Sequence, residues 1–160
     1  GLGGPAAGER IAHAGAERGD SVLEDAAAGD LDGDGAPELA VAFGPWQSFD
    51  LRLFRAGAGG ELEQAARRRL GRIGGLTTVV RGGRRVLAVL TDDSAPAPEL
   101  FPEPPHTGAP AGLHLFEWTG GALKEVEFVP LPRAGAVARF VARDGECVGD
   151  FDGDGREDLA

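Results

Sequence analysis

Tyrosine and methionine are absent from this 160-residue sequence, and cysteine and lysine occur once each. The single cysteine, Cys147, excludes an internal disulfide and leaves the redox compartment open. Its apolar surroundings, just before an acidic stretch, suit a small buried residue better than a nucleophile. No apolar run reaches transmembrane length, so no membrane-spanning helix is expected. Neither a secretory leader nor an initiator methionine is visible at "GLGGPAAGER". Positive charge is also scarce: 16 Lys and Arg stand against 26 Asp and Glu, a formal net charge of −10. That balance argues against a nucleic-acid partner, because phosphate recognition needs clustered basic residues. The three histidines (His13, His106, His114) are spread apart, and Ser21, Ser48 and Ser94 sit in no nucleophile elbow. "GLGGPAAG" and "GAGGE" lack the strand–helix context of a phosphate loop. No catalytic residue is assigned, and an enzyme is not expected.

What is abundant is glycine, with 27 residues, alongside 11 prolines and a hydrophobic fraction of 42%. Many short strands joined by tight turns fit that mix, so the fold class expected is all-β. An internal repeat is visible. After "GDLDGDG" come "ELAVAF", the link "GPWQS", "FDLRLFRAG" and "GELEQAARR": loop, strand, link, strand, turn, strand. From Gly75 the order recurs as "LTTVVRGGRRVLAVL", a long link, "GLHLFEWTGG" and "ALKEVEFVPL". In this alignment Val86–Leu90 stand for Leu39–Phe43, and "RGGRR" is a plain turn where the acidic loop was. A third unit opens near residue 135 and stops at Ala160. The approximate units are 20–74, 75–134 and a truncated 135–160, with about four strands each and apolar alternation at Leu51 and Leu53 and again at Leu113 and Leu115. Four strands per repeat is the pattern of a β-propeller blade. About two and a half blades cannot close a ring, so the sequence is expected to belong to a longer chain.

Residues 91–112 carry six of the prolines and interrupt the second unit as a stiff surface loop. His114, between two leucines, is expected on a strand and facing out. Trp46 and Trp118 each follow a strand and are expected to cap the core, with sugar stacking a minor alternative. Arg18, Gly19, Asp20 and Ser21 form an RGDS tetrapeptide, a weak match in so Arg- and Gly-rich a sequence.

The chemistry lies in "DLDGDGAPE" (30–38) and "DFDGDGRED" (150–158). Hard cations such as Ca²⁺ take six to eight oxygens and tolerate irregular geometry. In a curled D-x-D-x-D-G-x-x-[DE] loop, positions 1, 3, 5 and 9 supply carboxylates and position 7 a carbonyl. The predicted ligands are Asp30, Asp32, Asp34, the Ala36 carbonyl and Glu38, and then Asp150, Asp152, Asp154, the Arg156 carbonyl and Asp158. Two divalent ions would bring the formal charge to −6. Without a cation the crowded carboxylates repel one another, at a cost in stability. Position 12 of the first copy is Val41, within a strand-like run, which rules out an EF-hand. The 120-residue spacing does not suit a paired dockerin-type arrangement.

These two stretches resemble the FG-GAP (VCBS-type) repeat family, whose blades build the integrin α-subunit propeller. Leu39 and Leu159 take its leucine position, and Gly29 and Gly149 precede each loop; Glu38 stands where aspartate is commoner. The resemblance implies a partial propeller of four-stranded blades in which calcium is structural. It also implies a calcium-stabilised scaffold for extracellular or periplasmic binding or adhesion, with a protein or carbohydrate ligand that the sequence does not identify. The alternatives are the accessory propeller of a secreted polysaccharide-active enzyme, catalytic residues elsewhere, and a purely structural repeat.

Overall fold

The computed structural model describes residues 22–44, 50–91, 110–130 and 148–159, and every regular element among them is a β-strand. The RGDS tetrapeptide, Trp46, Cys147 and the interior of the proline-rich segment lie outside the described residues.

Strands β1 (Val22–Gly29), β2 (Glu38–Gly44), β3 (Asp50–Ala56) and β4 (Leu62–Arg69) form one antiparallel sheet in the order β1-β2-β3-β4. Strands β5 (Ile73–Arg81), β6 (Arg84–Thr91), β7 (Gly112–Trp118) and β8 (Leu123–Pro130) repeat that order in a second sheet. A short hairpin follows, β9 (Val148–Gly149) with β10 (Asp158–Leu159). The second strand of each four-stranded sheet reads as a continuous apolar run, "LAVAF" in β2 and "VLAVL" in β6, because both of its faces are covered. The outer strand β4 is charged and largely exposed, which discourages edge-to-edge pairing.

The repeat extends to the irregularities. Both sheets bulge in the first strand, between Leu23 and Asp25 and between Ile73 and Gly75. Both bulge again in the fourth, at Ala65 opposite Leu53 and Phe54 and at Val126 opposite Leu115 and Phe116. Bulges are built features, so they align the two sheets. Phe54 pairs with Leu39 and Phe116 with Leu87, which makes Leu87 the counterpart of Leu39. The sequence alignment of Val86 with Leu39 is therefore corrected by one residue. A one-residue slip exchanges the two faces of a strand, so the correction decides what each sheet turns to its neighbour.

With the register set, the packing is serial. Ala40, Ala42, Leu51 and Leu53 of the first sheet pack against Leu87, Val89 and Phe116 of the second, together with Leu31 and Trp118. The opposite face of the second sheet, Ala88 and Leu115, packs against Val148 and Leu159 of the β9–β10 hairpin. Ala88 and Leu115 are the counterparts of Ala40 and Leu53, so each unit offers the same face to the one that follows. The face of the first sheet that points away from the second holds Val41, Phe43 and Phe54 around a fully buried Asp50. Asp50 pairs with Arg67 and, at 3.3 Å, with Arg52, whose guanidinium lies 4.5 Å from the Phe43 ring centroid.

Polar contacts tie the layers together. The Asp25 carboxylate accepts the Leu76 amide at 2.7 Å, and Glu157 accepts the Val80 amide. Carboxylates from the units on either side thus occupy amides along β5, an edge strand of the second sheet. Arg68 of β4 crosses to β8, donating to the Leu123 carbonyl at 3.0 Å and to Glu125 at 3.2 Å, with its guanidinium 4.7 Å over Phe116. His114 does not face out: it is 1% exposed. Leu113 and Leu115 face the third hairpin, so their neighbour His114 falls on the inner face, opposite Val89. Nε2 lies 2.9 Å from the Pro110 carbonyl and Nδ1 3.2 Å from Glu125. Trp118 is buried, as a core cap should be.

Candidate metal centre

Each acidic segment joins two antiparallel strands, the first between β1 and β2, the second between β9 and β10. In the second sheet the same position between β5 and β6 is a two-residue Gly82–Gly83 turn, as "RGGRR" predicts. Gly33 (φ 82°) and Gly35 (φ 90°) hold left-handed backbone, as do Gly153 and Gly155 in the second loop. An added Cβ at Gly33 or Gly35 would meet nothing within 4 Å, so backbone strain alone selects glycine there.

Side chains organise the loop from within. The Asp30 carboxylate accepts the Gly33 amide at 2.8 Å with one oxygen and the Gly35 amide at 3.0 Å with the other. Asp32 accepts the Asp34 amide, and Asp34 accepts the Ala36 amide at 2.7 Å. Glu38 reaches back to the Leu31 amide at 2.8 Å. The second loop repeats all five bonds: Asp150 to the Gly153 and Gly155 amides, Asp152 to Asp154, Asp154 to Arg156, and Asp158 to Phe151. This is Asx-turn chemistry, in which short carboxylates take amides that have no ladder partner.

Three carboxylates converge in each loop. Ligand oxygens of Asp30, Asp32 and Glu38 lie within 4.8 Å of one another, and so do those of Asp150, Asp152 and Asp158. These trios are positions 1, 3 and 9 of the predicted cage. Asp34 and Asp154, at position 5, lie in the same loops but outside the trios, and each turns one oxygen to the amide of position 7. The all-oxygen donor sets suit a hard cation, and both clusters could hold a metal ion.

Electrostatics mark the first loop as the more demanding. Glu38 is 3% exposed, and its carboxyl is pushed above the ordinary value of 4.5. Burial is the main cause, and the charges of Asp32, Asp34 and Asp30 add to it, partly offset by the Leu31 amide. One Glu38 oxygen takes that amide; the buried carboxylate otherwise faces Asp30 and Asp32, as a metal ligand would.

Sequence reasoning missed the neighbours of this site. Arg84, Arg85, the end of β7 (Glu117 and Trp118) and the turn after it (Thr119 and Gly120) line a cleft of about 910 Å³ with Asp30, Asp32 and Asp34. A second cleft of about 1080 Å³ lies between Arg81–Gly83 and Asp154–Leu159. The Gly82–Gly83 hairpin thus lies between the two loops, a relation visible only once the sheets are stacked. The chain matches no family model, no curated protein and no solved structure.

Proposed function

We propose that the protein is a calcium-stabilised, propeller-type β scaffold that presents a binding or adhesive surface outside the cytoplasm, with the cation structural rather than catalytic. The observation that carries this reading is the duplicated loop. Two segments 120 residues apart make the same five amide-to-carboxylate bonds and converge the same three positions. Asp30, Asp32 and Glu38 would hold one ion, with Asp34 and the Ala36 carbonyl completing its shell; Asp150, Asp152, Asp158, Asp154 and the Arg156 carbonyl would hold the other. The ion supplies charge neutralisation and a fixed loop shape, while the chain's own amides and glycines set where the oxygens stand. The serial packing of like faces supports an FG-GAP-like blade stack.

Calcium is favoured over magnesium because irregular, carboxylate-rich loops suit its larger and more variable shell. Loops of this kind bind at about 10⁻⁴ to 10⁻³ M, which matches calcium outside cells and supports an extracellular or periplasmic setting. The test is calorimetric titration of the chain with Ca²⁺ and, separately, Mg²⁺. Two calcium equivalents are expected, falling to one in Asp30→Ala and in Asp150→Ala. Heats no larger than buffer dilution would remove the proposal.

A further inference from the structure

We infer that Arg85, reaching across from the second sheet, sets the cation affinity of the first loop and steadies that loop when no cation is bound. The inference rests on the cation-loop reading above. Arg85 lies at the start of β6, in the hairpin that stands where an acidic loop would be. Its stem passes over Gly29, the residue before Asp30: a Cβ added at Gly29 would meet Arg85 Cδ at 2.5 Å. Gly29 leaves room for this crossing, and a side chain there would displace the Arg85 stem. Arg85 Nη1 donates to Thr78 Oγ1 at 3.1 Å, which fixes the guanidinium. With Arg84 it lines the cleft that Asp30, Asp32 and Asp34 also line.

The placement differs from an ordinary ion pair. Among the described residues Arg85 makes no ion pair with a loop carboxylate, so it consumes none of the oxygens that a metal would take. It acts through space, in two directions. In the empty loop a fixed positive charge relieves repulsion among Asp30, Asp32, Asp34 and Glu38. Against an arriving divalent ion the same charge is repulsive. Among the described residues no arginine stem crosses the glycine before the second loop: the atoms nearest a Cβ at Gly149 belong to Phe151, 3.4 Å away, and the loop's own Arg156 is paired instead with Asp154 at 3.8 Å. Arg81 in the adjoining cleft is paired with Glu127.

The test uses the full 160-residue chain carrying Asp150→Ala, so that only the first loop is read, with Arg85, Arg85→Gln or Arg85→Lys. Calcium affinity is measured by calorimetry at low ionic strength, and melting is followed in EDTA. Because Arg85 borders the same cleft as the loop carboxylates, removing its charge should make calcium binding by Arg85→Gln about three- to ten-fold tighter than in the parent, the order expected for a solvent-screened unit charge. Its melting point in EDTA falls. Arg85→Lys keeps both parental values, and both differences shrink in about 0.5 M salt, where the Debye length is short. Parental affinity in Arg85→Gln, or a lysine variant behaving like glutamine, overturns the inference. If the parent takes up no calcium, the cation reading fails by itself and the EDTA melt still decides. A salt-sensitive drop in Arg85→Gln alone then upholds Arg85 as the loop's counter-charge, and no drop overturns it.

Discussion

The two acidic loops share a backbone and differ in what covers them. Leu31 in the first is 6% exposed and belongs to the core between the sheets, whereas Phe151 at the same position of the second is 59% exposed. Glu38 is buried, while its counterpart Asp158 is only partly so. The amide-to-carboxylate bonds are nevertheless the same. Nine residues therefore specify the loop's internal shape, and the neighbouring sheet specifies how much of the fold depends on it.

The largest effect that tests this contrast comes from the apolar position. Leu31→Ala should destabilise the fold by about 2–5 kcal/mol, the usual range for a buried leucine. Phe151→Ala should stay within about 0.5 kcal/mol, as exposed positions do. Urea unfolding of both variants measures the difference, and equal costs would break the comparison. Next in size is backbone strain. Gly35→Ala and Gly155→Ala each force a side chain into left-handed backbone, at a cost of about 1–2 kcal/mol. Calcium affinity should fall alike in both loops, because the strain is local; calorimetry on single-loop backgrounds reads it.

A smaller effect sharpens the electrostatic side. Because Glu38 is held above 4.5, the folded state binds its proton more tightly than the unfolded chain does. Without calcium, this residue's contribution to stability should decline as pH rises from 4.5 through its raised value. Glu38→Gln should remove that slope, and Asp158→Asn should leave it unchanged. With calcium present the slope should reverse, since the ligand form is the carboxylate. Melting curves between pH 4 and 7, with calcium or EDTA, follow both trends.

Much of this was legible in the sequence. Apolar alternation marks β3 and β7, glycine pairs mark the turns, and alternate aspartates mark both loops. What escaped was long-range. "VLEDAAAG" has little strand propensity, yet it forms β1 because β2 and β5 pack against it. The register between the repeats slips by one when read from position alone; the shared "LAV" of 39–41 and 87–89 carried the right signal. His114 looked solvent-facing because one buried face was assumed, and the second sheet has two. Arg85 over Gly29 joins residues that are distant in sequence, so no local pattern could announce it.

The central claim is that cation binding at the first loop supports the fold. Thermal melts of the parent, Asp30→Ala and Asp150→Ala, with and without about 10 mM Ca²⁺, test it most directly. With Kd between about 10⁻⁴ and 10⁻³ M this is about 10 to 100 times Kd, and mass action adds about 1.4–2.7 kcal/mol per site, or roughly 3–10 °C for a chain of this size. The β9–β10 hairpin is short and Phe151 is 59% exposed, so it can open without the sheets unfolding and its site adds little to the melt. The account therefore predicts the rise of one site in the parent, most of it lost in Asp30→Ala and most of it kept in Asp150→Ala. A parent that melts at the same temperature with and without calcium, or an Asp30→Ala variant that retains the full rise, would contradict it.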